Sequence, residues 1–281
     1  MKVVFVGVGA IGLPMALQIK AAGHEVQGVD VAEISRQRAR AQGIETVERY
    51  SLTRSADVVV VMVATPQQLM ELIEEALPAV SGQHWVIMST VGPEAIIAAA
   101  EQLQRQGACV VDAPVTGGTA RASTGDLVIF AAGEQCSLNH VAPVLNAMGR
   151  MKTVGNRPGD GQGIKVINQH LCAVHIVAAA EALNLAQSLG LDPAQVLPLV
   201  EGGAAGSWML SDRGPRMLQG TDVKVSSAIN IFVKDSTLVA DAATACAAEV
   251  PLLREAHARY LAAAKAGLGQ HDDSRVIETW Q

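Results

Sequence analysis

Residues 56–64 read Ala-Asp-Val-Val-Val-Val-Met-Val-Ala. The run shows no apolar–polar alternation, which is the pattern of a strand covered on both faces. Such strands belong to parallel sheets, whose neighbours are joined by helical crossovers. The surrounding chain repeats the arrangement. Val3–Val8, His24–Asp30, His84–Ser89, Ala108–Asp112 and Leu127–Ala132 read as further strands, with helices over Ile11–Ala22, Ala32–Gln42 and Pro93–Gln106. Strand–helix alternation at this spacing predicts an α/β fold, a doubly wound parallel sheet occupying residues 1–160.

The pattern changes after Gly163. No strand is predicted from Ile164 onward, and alanine becomes dense, as in Ala178-Ala179-Ala180-Glu181-Ala182. A long interdomain helix is expected over Gly163–Ser188. Gly190 follows its end, and Asp192 then caps a helix that has Pro193 at its first position. Further helices are expected over Asp222–Ala247 and Pro251–Ala266. Residues 161–281 therefore read as an all-helical C-terminal domain, and its alanine faces suit close approach of helices within a subunit or between subunits.

Composition removes several classes of function. Of 281 residues, 21 are basic and 27 acidic, a formal charge of −6 that does not suit a nucleic-acid backbone binder. Polar residues interrupt every long apolar run before the ~18 residues a spanning helix needs, so no membrane partner is expected. Met1–Gly7 runs directly into a strand with no small-residue cleavage site, and the four cysteines are scattered. Both features point to a cytoplasmic, reducing location. His170 and His175 flank Cys172, but a spacing of five places them poorly on one helical face. No metal is expected, and buried, hydrogen-bonded histidines are. Ser207 has no evident acid and histidine partners for a hydrolase triad. Trp208 and Met209 read as core or pocket wall.

The chemistry begins at Gly7-Val8-Gly9-Ala10-Ile11-Gly12, between the first strand and the first helix. In that context Gly7 makes the tight turn, Gly9 lets a pyrophosphate approach the backbone, and Gly12 lets the helix pack on the strand. The amides of Ala10 and Ile11 open a helix N-terminus that favours phosphate. Asp30 closes the second strand 18 residues beyond Gly12. A carboxylate there accepts from adenosine-ribose hydroxyls and repels a 2′-phosphate, so NAD is expected in preference to NADP. The first arginine beyond it is Arg36. As an alternative, Asp30 would simply cap the following helix.

Further motifs follow in order: Asp112-Ala113-Pro114-Val115-Thr116-Gly117-Gly118 with Gly125-Asp126-Leu127, Gly159-Asp160-Gly161-Gln162-Gly163-Ile164-Lys165-Val166-Ile167-Asn168-Gln169, Phe232-Val233-Lys234-Asp235, and Gly267-Leu268-Gly269 running into Asp272-Asp273-Ser274. Together with Gly9–Ala16, they resemble the β-hydroxyacid dehydrogenase family along the whole chain. The resemblance implies a Rossmann-type N-terminal domain and a helical domain for substrate and oligomerisation. It implies Lys165 as the catalytic residue, Thr116, Gly117 and Gly118 as holders of a substrate carboxylate, Thr90 beside the nicotinamide, and Lys234 as a cofactor contact. Asn168-Gln169-His170-Leu171, with Ala205–Met209, is most similar to the branch acting on L-threonate. Three positions depart from the family pattern: Thr116 stands where Ser is usual, Gln169 where Asn is common, and Arg275 where a small residue is usual.

The residues by themselves agree with that chemistry. A nicotinamide cofactor carries hydride, and the protein manages one proton. Lys165, expected in a crevice between the domains, would accept a hydroxyl proton during oxidation and return it during reduction. A base role near neutrality requires its pKa to fall from about 10.4. Burial and the nicotinamide charge would lower it, and a bound carboxylate would oppose them. Asn168 and Gln169 follow one turn later, so at least one shares the face of Lys165 and suits substrate contact. The expected partners are a small hydroxy acid and a second or further copies of the chain, as homodimer or homotetramer. Reduction of a short semialdehyde such as tartronate semialdehyde, oxidation of 3-hydroxyisobutyrate, and a non-catalytic dinucleotide sensor are the alternatives.

Overall fold

The computed structural model describes residues 1–220 and 222–280. Among the described residues are nine strands and eleven α-helices. The strands are β1 (Lys2–Val6), β2 (Glu25–Val29), β3 (Glu45–Val47), β4 (Val58–Val61), β5 (His84–Ile87), β6 (Cys109–Asp112), β7 (Val115–Thr116), β8 (Leu127–Ala132) and β9 (Gly149–Gly155). The helices are α1 (Gly12–Ala21), α2 (Glu33–Ala41), α3 (Pro66–Ala76), α4 (Pro93–Arg105), α5 (Gly118–Ser123), α6 (Gln135–Met148), α7 (Asp160–Ser188), α8 (Pro193–Glu201), α9 (Trp208–Met217), α10 (Ile229–Ala245) and α11 (Pro251–Ala263). The chain divides into two compact units, Met1–Lys165 and Val166–Gln281, so the division falls inside α7.

The first unit is built on a sheet of order β3-β2-β1-β4-β5-β6-β8-β7, with β9 on β8. Strands β1 to β6 are all parallel, in the order 3-2-1-4-5-6. That is the dinucleotide-fold order, with its switch point between β1 and β4. Val58–Val61 lie at the middle, all buried, and alternate between two cores. Val58 and Val60 pack with Leu13, Met15 and Ile19 of α1 and Leu138 and Val141 of α6. Val59 and Val61 pack with Leu69 and Ile73 of α3 and Ile96 and Leu103 of α4. Each buried valine contributes roughly 1.5–3 kcal/mol, which explains why this strand needs no polar face.

Beyond β6 the sheet is no longer purely parallel. β8 runs antiparallel to both β6 and β7, and β9 is parallel to β8. β3 and β7 are only three and two residues long, and β9 is mostly exposed or half-buried. Their partners rather than their own apolar pattern hold them as strands.

The second unit contains helices and, among the described residues, no strand, only a bridge between Ala228 and Asp272. By length and composition α7 is apolar enough to cross a membrane. Its Ala173, Ile176, Ala180 and Leu183 instead form the core of this unit with Phe232, Leu253 and Tyr260. Gly190 closes the end of α7 with φ +77°, and the Asp192 side chain accepts from Ala194 N at 3.0 Å to cap α8. The expected Asp222–Ala247 helix starts only at Ile229. In residues 222–228 the apolar Val223 and Val225 alternate with polar neighbours, without the period that would bury a helix face. Trp208 is 62% exposed rather than core, and the Arg213 guanidinium lies 5.8 Å from its ring centre. Ser207 caps α9, its Oγ accepting from Leu210 N at 3.0 Å. Arg275, at the position usually small, is buried and donates to the carbonyls of Gln219 at 2.6 Å and Arg216 at 2.7 Å.

Candidate active site

Sheet register aligns the carboxyl ends of five strands in one row. Val29 pairs with Val6, Val6 with Val61, Val61 with Ile87, and Ile87 with Asp112. The residues just past this row are Asp30, Gly7, Met62, Met88 to Thr90, and Ala113, the edge where open α/β sheets bind ligands. Three strand intervals separate the β2 and β5 ends, about 14 Å at ordinary sheet spacing.

The glycine turn divides into two kinds of position. Gly7 has φ +92°, and a Cβ there would sit 2.3 Å from the carbonyl oxygen of Met62. A Cβ on Gly12 would sit 1.8 Å from Gly7 O, so the approach of α1 to the turn requires glycine. Gly9 is different: nothing described lies within 4 Å of its Cβ position. Gly9 and Ala10 are exposed and Ile11 half-buried, and among the described residues no side chain caps α1. The first amides of a helix lack intrahelical acceptors, so this terminus suits phosphate. A cleft of about 430 Å³ borders the turn, lined in part by Val8, Gly9, Ala10, Leu13, Ser35 and Arg38.

Asp30 is half-buried, and its Oδ1 accepts from Ala32 N at 2.9 Å. The N-cap of α2 is Ala32, so Asp30 folds the turn before the helix and does not cap it. Arg36 donates to the carbonyls of Asp30 at 2.7 Å and Val31 at 2.9 Å and pairs with Glu33. Its charge is thus committed to the turn. The loop after β4 is set by a capping box that sequence reading missed. Thr65 Oγ1 accepts from Gln68 N at 3.2 Å, and Gln68 Oε1 accepts from Ala64 N at 2.9 Å and Thr65 N at 3.2 Å. The Thr-Pro-x-Gln spacing was its available signal.

Thr116 ends β7, half-buried, and Gly117 and Gly118 follow at φ +132° and +66°. A Cβ on Gly117 would meet Arg121 at 2.9 Å, whereas the Cβ position of Gly118 is open. Both glycines are needed by the backbone, and the second faces open space.

Lys165 lies early in α7 and is 7% exposed. The helix start is held by Asp112, at the end of β6. Asp112 Oδ2 accepts from Gly159 N and Gln162 N, both at 2.9 Å, and its Oδ1 accepts from Gln162 Nε2 at 3.2 Å. Burial pushes the Asp112 carboxyl up to about 6, against the lowering by these hydrogen bonds. A carboxyl raised on folding favours the fold in its protonated form. Its contribution is complete below the ordinary value of 3.8 and is lost as pH rises through about 6. Asp112→Asn stays neutral throughout. The melting temperature of the variant relative to the parent should therefore rise between pH 4 and pH 7, and a difference that is flat or falls over that interval would refute this origin.

In the second unit, Asn168, Gln169 and Lys234 meet through Asp235, the last residue of the Phe232–Asp235 motif. Gln169 Nε2 donates to Asp235 Oδ2 at 2.5 Å, and Asn168 Nδ2 donates to Gln169 Oε1 at 2.8 Å. Lys234 Nζ lies 2.8 Å from Asp235 Oδ1 as an ion pair rather than a directed hydrogen bond. His170 is half-buried and its Nδ1 has no hydrogen-bond partner among the described residues, contrary to the expectation of a bonded histidine. Among the described residues no group of three or more His, Cys, Asp or Glu is placed to hold a metal ion.

A glycine turn at the first strand, an acidic end to the second and a parallel sheet of this order define a dinucleotide-binding oxidoreductase domain. Residues 2–156 match the family described as the NAD binding domain of 6-phosphogluconate dehydrogenase. Residues 159–280 match that described as NAD-binding of NADP-dependent 3-hydroxyisobutyrate dehydrogenase. The chain is 35% identical to an L-threonate dehydrogenase of Cupriavidus necator over 97% of its own length and 94% of the relative's. It is 30% identical to the 2-hydroxy-3-oxopropionate reductase of Escherichia coli, covering 99% of this chain and 96% of the relative. A crystal structure of 3-hydroxyisobutyrate dehydrogenase from Salmonella typhimurium superposes with TM-score 0.91 at 31% identity, covering 99% of each chain. The chain belongs to the β-hydroxyacid dehydrogenase family and is an NAD(P)-dependent dehydrogenase of hydroxy acids.

Proposed function

We propose that the chain oxidises a small sugar acid, L-threonate in first place, with NAD, and that Lys165 carries the proton. The observation that carries this reading is a buried lysine on a helix whose first turn is anchored by Asp112 to the row of strand ends. Residues 1–160 are then the dinucleotide-binding part, and 161–281 serve substrate and assembly.

The residues fit the cofactor: Gly9 leaves open space beside a helix terminus, and Asp30 follows the strand end that pairs beside the glycine turn. The turn at Gly7, Gly9, Ala10, Ile11 and Gly12 would hold the pyrophosphate, Asp30 the adenosine ribose, and Thr90 and Lys234 the nicotinamide end. When bound, NAD supplies the acceptor or donor of hydride. Thr116, Gly117 and Gly118 hold the substrate carboxylate with a hydroxyl and backbone amides. Asn168 or Gln169 orients the acid. Lys165 Nζ takes the hydroxyl proton as the carbinol is oxidised and returns it in the reverse direction.

Preference for NAD rests on Asp30 and on an Arg36 already bound to Glu33 and two carbonyls. Asp30→Ala should narrow the ratio of kcat/KM for NAD over NADP by about 10- to 100-fold, the worth of a charge-assisted hydrogen bond. Equal efficiency of the parent with both cofactors would overturn this and shift attention to Arg38 in the adjoining cleft.

Ile164, Ile167, Leu171, Leu185 and Leu189 form an exposed apolar face along and just past α7, which favours a homodimer or homotetramer. The substrate class is tested by steady-state kinetics with L-threonate, tartronate semialdehyde, 3-hydroxyisobutyrate and glycerol. Highest kcat/KM for L-threonate supports the reading. Preference for tartronate semialdehyde moves it to a reductase, and activity on glycerol alone refutes an acid site.

A further inference from the structure

We propose that Gln162 is a positioning residue that fixes the loop carrying Thr90 and the helix carrying Lys165 in one arrangement. Its side chain is fully buried. Oε1 accepts from Val91 N at 3.0 Å and Gly92 N at 3.1 Å, the two residues after Thr90. Nε2 donates to Ser89 O at 3.0 Å and to Asp112 Oδ1 at 3.2 Å, while its own backbone N donates to Asp112 Oδ2 at 2.9 Å. One amide therefore brackets Thr90 on both sides and, through Asp112, holds the first turn of α7 three residues before Lys165.

The chemistry of the amide is specific. The loop presents two donors and one acceptor, and Asp112 presents acceptors, so the bridging group must accept on one side and donate on the other. Among side chains of this length only glutamine offers an acceptor with two donors, one for Ser89 O and one for Asp112. Buried partners left unsatisfied would pull the loop away from the helix. Gly161 lets the helix start pack close to the same carboxylate, since a Cβ there would lie 2.6 Å from Phe130 O and 2.9 Å from Asp112 Oδ2.

This rests on the reading of Lys165 and Thr90 as reactive-end residues. Gln162→Met should lower kcat with NAD and L-threonate by about 100-fold, the scale of an ångström's misplacement, with KM for NAD nearly parental. In the cofactor-free protein, amide hydrogen exchange at Val91 and Gly92 should accelerate at least about tenfold. Gln162→Glu keeps the acceptor but sets an oxygen against both Ser89 O and Asp112 Oδ1. Adding Asp112→Asn restores a donor at position 112, so the double variant should recover at least about tenfold over Gln162→Glu alone. This pair carries the test even where Gln162→Met fails to fold. Parental kcat in folded Gln162→Met, unchanged exchange, or purely additive losses would overturn the proposal. Parental activity of Lys165→Met would instead overturn the reading beneath it, so the two failures are distinguishable.

Discussion

Gly12→Ala is expected to raise the dissociation constant for NAD at least about 100-fold and to lower the melting temperature by about 5 °C. The reason is geometric. The added methyl would lie 1.8 Å from the carbonyl oxygen of Gly7 and 3.0 Å from the Phe5 ring, so α1 must back away from the turn. Overpacking of this kind costs about 1–3 kcal/mol, and it moves the helix terminus proposed to hold the pyrophosphate. Gly9→Ala provides the contrast. Its methyl meets nothing within 4 Å, so the melting temperature should stay parental while NAD binding weakens. Fluorescence titration and thermal melts separate the two positions. Equal behaviour of both variants would mean that the turn does not hold the cofactor as described.

That contrast also shows how far the chain could be read before its fold was known. The glycine motif already assigns Gly7 to the turn, Gly12 to helix packing and Gly9 to an open approach, and the structure adds the Met62 and Gly7 carbonyls that enforce the first two. Val58–Val61 was legible because two helical layers make every residue of the strand apolar. β7 and β9 were not, because short or exposed strands owe their pairing to β8. Asp30 was legible from its distance to Gly12, whereas its role as a turn former rather than a helix cap was not.

The site shows the same division. Residues such as Lys165, Asn168, Gln169 and Lys234 could be named as candidates from type and motif. The groups that hold them could not. Asp112 and Gln162 lie 50 residues apart, and neither type signals a role without its partner. Asp235, buried, gathers Asn168, Gln169 and Lys234 into one network, a set of contacts that its place in the Phe232–Asp235 motif does not specify.

Lys165→Met bears on the central claim. Methionine matches the lysine stem in length and keeps the apolar contacts of a side chain that is 7% exposed, while removing the only atom able to move a proton. General acid–base groups contribute about 10²–10⁴-fold, so kcat should fall by about 1,000-fold with NAD affinity nearly unchanged. The direct measurement is a single turnover of folded Lys165→Met, loaded with NAD and mixed with L-threonate, followed by the near-ultraviolet absorbance of the reduced cofactor. The account predicts a burst slowed by about three orders of magnitude against the parent. Formation of reduced cofactor at the parental rate would contradict it.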